Sequence, residues 1–197
     1  MRHGIILLAC FFSVAPVFAA EPMADDAADY TQDAGTHFTA IAALAAGGDE
    51  LATISFTNGD SQDIKAGSGV YLGGGFLHNF AAVPVSVQVT LGYFVADTAA
   101  TNTQARFSRY PLDAMVFYRN AGHRFGAGLT YHLSPTLDLD QLGGTYKFEN
   151  AQGLVLEYGY KWFGIRYTTI DYEAKGFAYT ASGNHLSIQA NWGFSGW

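Results

Sequence analysis

Hydrophobic and polar positions alternate along most of this chain. The clearest run is Val83–Val95, where Val83, Val85, Val87, Val89, Leu91, Tyr93 and Val95 share one parity and Ser86, Gln88, Thr90 and Gly92 the other. A period of two is the strand period. The last run repeats it: Leu186, Ile188, Ala190, Trp192 and Phe194 alternate with Ser187, Gln189, Asn191 and Gly193. Six further segments fit: Thr36–Ala46, Gly67–Phe80, Tyr110–Arg119, His123–Leu133, Gly153–Trp162 and Phe163–Tyr172. Thr36–Ala46 is the weakest, because its alanines would also suit a helix.

The pattern predicts eight strands, and the connections between them alternate in length. Short ones fall at Ala81–Pro84, Asn120–Gly122 and Lys161–Gly164. Long ones fall at Gly47–Ala66, Ala96–Ala105, Ser134–Lys147 and Glu173–Gly183. An even strand number with short turns on one side and long loops on the other predicts an all-β, eight-stranded, antiparallel up-and-down transmembrane β-barrel. Lipid cannot hydrogen-bond a bare sheet edge, so a spanning sheet has to close. Tyr93, Tyr110, Tyr118, Trp162 and Phe163 stand where interface girdles are expected. In the first long connection, Asn58–Gly59 is a strong hairpin signal. It predicts an extended hairpin over about 47–66 that stands well above the other loops.

Composition agrees. Residues are 49% hydrophobic and 15% aromatic but only 14% charged, against about a quarter charged in an ordinary soluble domain. Such a chain suits strands that face lipid. The net charge of −7 excludes a general nucleic-acid binder, which needs a basic face.

The N-terminus adds an address. Arg2 and His3 precede an apolar run from Gly4 to Val14, and Val17 and Ala19 supply small residues for cleavage. Residues 1–19 therefore read as a cleaved signal peptide; the run is too short to span a bilayer. The single cysteine, Cys10, lies inside it and resembles a lipobox, though only nine residues precede it. Residues 20–35 are acidic and Ala-rich, a flexible lead-in, and residues 36–197 form the barrel. The expected location is the outer membrane of a Gram-negative bacterium.

The signal peptide, the eight alternating segments, the Gly-rich second strand and the aromatic-ended last strand resemble the small outer-membrane β-barrel domain family. The closest stretches are GGDELATISFTNGDSQDIKAGSG, and GAGLTYHLSP followed by LEYGY and GIRYTTIDY. The resemblance implies a fold and an address rather than a chemistry. It also implies that the last strand, Leu186, Ile188, Ala190, Trp192 and Phe194, is the signal read by the barrel-assembly machinery, with Phe194 or Trp197 as its terminal aromatic.

The inward parity carries charge: Arg109, Asp113, Arg119, Arg124, His132, Glu157, Lys161 and Arg166. In a lumen narrow enough for side chains to fill, these form a plug of ion pairs or, alternatively, the filter of a small pore. His132 and Ser134 make an H-x-S pair like that of lipid A deacylases, with Asp138 or Asp140 to orient the imidazole. Pro135 follows Ser134, where that family usually has Asn. No ligand spacing for a metal and no phosphate or dinucleotide loop appears, and no cofactor is expected. The leading expectation is a non-enzymatic barrel with a side-chain-filled lumen, contacting outer-membrane lipid, lipopolysaccharide and partners through its loops. A porin-like channel and a lipid A-modifying hydrolase using His132 and Ser134 are the alternatives.

Overall fold

The computed structural model describes residues 34–55, 61–100, 103–139 and 144–195. The expected signal peptide, nearly all of the acidic lead-in, Asn58–Gly59, Asp140 and Trp197 lie outside them. Among the described residues every regular element is a strand: β1 (Gly35–Gly47), β2 (Glu50–Ser55), β3 (Ser61–Lys65), β4 (Gly69–Asn79), β5 (Val85–Ala100), β6 (Thr103–Asn120), β7 (His123–Leu139), β8 (Gly144–Lys147), β9 (Ala151–Tyr160), β10 (Phe163–Glu173), β11 (Thr180–Ser182) and β12 (His185–Ser195).

Eight of these close into an antiparallel barrel in the order β1, β4, β5, β6, β7, β9, β10, β12 and back to β1. The alanines of β1 are strand residues because both edges are used: Ala42 faces Ala190 of β12 on one side and Leu72 of β4 on the other. Following register partners round the wall runs Thr36, His78, Val87, Val116, Ala127, Leu156, Tyr167, Leu186 and then Ala46. The circuit thus returns to β1 ten residues from its start. With a rise of about 3.3 Å per residue and about 4.8 Å between strands, this stagger tilts the strands by about 41° and gives a backbone radius of about 8 Å. Such a lumen holds two facing side chains and little else.

Outward and inward parities separate as the alternation predicts. Leu72, Val89, Leu91, Leu129, Leu154 and Leu156 are exposed on the outer wall, while Thr39, Gln88, Thr90, Asp113 and Thr130 are buried inside. Long inward side chains lie over inward glycines on neighbouring strands. A Cβ on Gly92 would run into the Tyr71 ring, one on Gly126 into Phe117 and one on Gly159 into Arg124. Gly92, Gly126 and Gly159 are thus the seats of three of the lumen's large side chains.

The two ends of the barrel differ from each other. The turn between β6 and β7 is tight, with positive φ at Ala121 (48°) and Gly122 (79°), as a two-residue type I′ hairpin demands. At the other end, the long connections are mostly strand. β5 and β6 stay paired out to Ala100 and Thr103, β8 continues the wall beside β7, and β11 pairs with the end of β10. The β2–β3 hairpin is present, and its base is packed into the barrel mouth. Ile64 and Ala66 are buried with Phe107, Leu137, Phe148 and Tyr172. Its root is tied to β11: the Asp49 amide donates to the Ser182 carbonyl at 2.7 Å, and the Ser182 amide donates to Asp49 Oδ2 at 2.8 Å.

Candidate functional site

The inward residues of β6 traverse the whole lumen. From the short-turn end they read Arg119, Phe117, Met115, Asp113, Pro111, Arg109, Phe107 and Ala105. Each belongs to a layer of distinct chemistry.

Nearest the short turns is an open vestibule of about 420 Å³, walled by Arg119, Arg124, Lys161, His37 and His123 among others. Lys161 sits in the turn after β9 with φ of 53°, so it belongs to the mouth and not to the interior. Above it, Met115, Phe117 and Val155 form a small apolar layer.

The ionic layer follows. Arg166 of β10 stands opposite Glu157 of β9 and donates to its Oε2 through Nε (3.1 Å) and Nη2 (2.9 Å). Its Nη1 crosses the lumen to Asp113 Oδ2 on β6 at 2.7 Å. Arg124 Nη2 lies 2.9 Å from the other Glu157 oxygen, and Thr130 donates to Asp113 Oδ1 at 2.6 Å. Two cations and two anions are thus joined in one chain, with Asp113, Glu157 and Arg166 all at most 6% exposed. Burying charge is tolerated when it is paired; Arg166 is also hydrogen-bonded to both carboxylates, whereas Arg124 Nη2 and Glu157 Oε1 form an ion pair without hydrogen-bond geometry.

Arg109 is held differently. It is fully buried, and no described carboxylate pairs with it. Its guanidinium carbon lies 3.6 Å from the Phe94 ring centroid and 4.7 Å from that of Phe107, a cation–π cage. His132 and His185 pack edge-on against the same Phe94 ring. A cavity of about 20 Å³ remains beside Tyr71, His132, His185 and Arg166, room for about one water. Over Arg109 closes an apolar cap of Phe107, Phe148, Ile170, Tyr172 and the hairpin's Ile64.

Of the eight charged or basic residues expected inside, four meet in the ionic layer: Asp113, Arg124, Glu157 and Arg166. Arg109 is caged by rings, Arg119 and Lys161 lie at the vestibule, and His132 stands between the ionic layer and the cap. The cap is a feature that alternation alone does not announce. Its signal was present, since Phe107 and Tyr172 carry the inward parity of Arg109 and Arg166.

The H-x-S pair is not assembled. Plain alternation would put His132 and Ser134 on one face. The β6–β7 register shifts between Ser108 and Tyr110, and Ser134 takes a positive φ of 49°, the mark of a bulge. Ser134 is exposed, its amide donating to Asn150 Oδ1 at 2.9 Å. His132 stays inside, its Nδ1 2.6 Å from the Tyr172 hydroxyl. Among the described residues, no group of three or more His, Cys, Asp or Glu could hold a metal ion.

In β12, Leu186, Ile188 and Trp192 are exposed on the outer wall and Ala190 is half-buried. The strand pairs with both β1 and β10 and so closes the barrel. The side chain of Phe194 is outside the described set. No protein-family model matches the chain, and the sequence of no curated protein matches it either.

Proposed function

We propose that this protein is an integral outer-membrane barrel that conducts nothing through its middle and acts through its outer rim. The observation that carries the reading is the outer wall. On β5 the outward residues are apolar or aromatic from Val85 to Val95 and turn polar at Asp97, which pairs with Arg106. Ten residue steps at a tilt of about 41° span about 25 Å along the axis, the height of the apolar band of outer-membrane barrels. Exposed Tyr93 and Tyr110, at 5.3 Å between ring centroids, stand near its upper edge. Tyr118, Tyr160, Trp162 and Phe163 stand near its lower edge. These are girdle positions. A soluble barrel would gain nothing from exposing so much continuous apolar wall.

The lumen supports a closed barrel over a pore. Ionic layer, caged Arg109 and apolar cap succeed one another along the axis, and the cavity between the ionic layer and Arg109 has room for about one water. Lipid and lipopolysaccharide are then the partners of the wall and rim, and the barrel-assembly machinery the partner of β12.

Two measurements test this. Cell fractionation and gel migration should find the mature chain in the outer-membrane fraction, running at different apparent masses with and without boiling. Planar-bilayer recordings of the refolded protein should show no stable open level. A soluble periplasmic chain would remove the membrane reading, and a steady conductance would favour the porin-like alternative.

A further inference from the structure

One charge in the lumen is left over. Arg124, Glu157, Arg166 and Asp113 balance as two cations and two anions. Arg109 stands outside that set. It is fully buried, and none of its guanidinium nitrogens has a hydrogen-bond partner among the described residues. The Tyr172 hydroxyl lies near it but outside hydrogen-bond geometry. The rings of Phe94 and Phe107 attract the guanidinium through their faces, yet they bring no countercharge. A buried cation without an anion is costly, and pairing removes that cost.

The space for a counterion lies between Arg109 and the ionic layer. The cavity of about 20 Å³ has Phe94, the residue that carries Arg109, as one of its walls. Arg166 also lines it. Its bonds to Glu157 and Asp113 use three N–H donors, and a guanidinium has five. Tyr71 and Gln189 line the same space, at 6% and 3% exposed. The Tyr71 hydroxyl and Gln189 Nε2 have no hydrogen-bond partner among the described residues. Asp113 reaches the cavity too, but Arg166 and Thr130 already engage both of its oxygens. Unused donors thus surround a void in a region with one positive charge in excess. A monatomic anion fits where one water fits; phosphate or sulfate does not.

We propose that this cavity is a halide site, which takes up chloride as the barrel folds. The ion accepts from the Tyr71 hydroxyl, the Gln189 amide and the spare N–H groups of Arg166, and its charge balances Arg109. Charges interact strongly through an interior that excludes water, so the ion need not touch the Arg109 guanidinium.

Bromide is the probe. The full chain is refolded in detergent micelles and unfolded in urea at two bromide levels, with gluconate holding the ionic strength constant. An anion that binds only the folded state stabilises it by mass action, so raising bromide from about 10 to about 300 mM should raise the folded-to-unfolded ratio about tenfold. Arg109→Met removes the surplus charge and should abolish that response. Tyr71→Phe keeps the charge, removes one donor and should weaken it. Crystals of the bromide-refolded chain should show an anomalous scattering peak in the cavity beside Arg166. A ratio that does not rise with bromide overturns the proposal. So does a rise that Arg109→Met keeps in full, or Tyr71→Phe should the first variant fail to fold, because the halide would then act at the surface. A cavity without an anomalous peak also overturns it. None of these readouts depends on which membrane, if any, holds the barrel.

Discussion

The middle of the lumen is held by Arg124, Glu157, Arg166 and Asp113, and its end away from the short turns by Phe107, Phe148, Ile170 and Tyr172. Both fill the same tube, and both are buried. The first works only as a set. Each charge taken from water costs several kcal/mol, and it is repaid by partners at hydrogen-bond distance. The second is a sum of areas, each large side chain contributing about 1.5–3 kcal/mol by leaving water. The contrast is one of tolerance. An ionic layer answers a single deletion with an uncompensated charge, whereas an apolar cap answers with a cavity whose cost depends on how far its neighbours relax.

Removing the shared carboxylate is the sharpest way to break the comparison. Glu157→Leu leaves Arg124 without its partner and Arg166 with Asp113 alone. The expected cost is about 3–5 kcal/mol, read from urea unfolding in micelles or from the temperature at which the folded gel band disappears. Replacing Arg124, Glu157, Arg166 and Asp113 together by apolar residues of similar volume should recover most of that loss. A single change costing under about 1 kcal/mol would mean that the lumen is wet enough to solvate its own charges.

The cap should respond more gently and more locally. Ile64→Ala removes the hairpin's main anchor in the buried cluster, at an expected cost of about 2 kcal/mol. The loss should appear first as faster hydrogen exchange at residues 61–66, with the amides flanking Arg166 unchanged. This follows because, among the described residues, β2 and β3 form a two-stranded sheet of their own and can open without breaking the barrel wall. If exchange at Arg166 rose equally, cap and ionic layer would be one cooperative unit and the distinction between them would fall.

The wall was readable in the sequence because outward-facing and lumen-facing positions impose opposite demands at a period of two. Val89 and Leu91 against Gln88 and Thr90 are sufficient to phase a strand. Which inward charges meet was not readable in the same way. Arg166 and Glu157 are cross-strand neighbours, but Arg166 reaches Asp113 across the lumen, a contact set by the ten-residue stagger that no single strand reveals. The upper storey was hidden by composition. Ala96–Asp97–Thr98–Ala99–Ala100 reads as a loop, yet it continues the β5–β6 ladder, whose partners supply the order its own side chains do not. Ser134 hid more, since its one-residue bulge breaks the parity after His132 and so dissolves the H-x-S pair.

The smallest effect is expected from the pair that most resembles the ionic layer. Arg106 and Asp97 face each other across β5 and β6 as Arg166 and Glu157 do across β9 and β10. Arg106 Nε and Nη2 approach one Asp97 oxygen at 3.1 and 2.6 Å, against 3.1 and 2.9 Å onto one Glu157 oxygen. Only the surroundings differ. The side chains are 53% and 42% exposed in the first pair and 8% and 0% in the second. The Asp97 carboxylate raises the Arg106 pKa through the hydrogen bond, but water already solvates both groups. Arg106→Ala should therefore cost under about 1 kcal/mol, and 0.5 M NaCl should erase most of that. The same salt should reduce the Glu157→Leu deficit far less, because Asp113, Glu157 and Arg166 are buried above the apolar layer of Met115, Phe117 and Val155. Equal salt sensitivity in the two pairs would show that geometry, not burial, sets their strength.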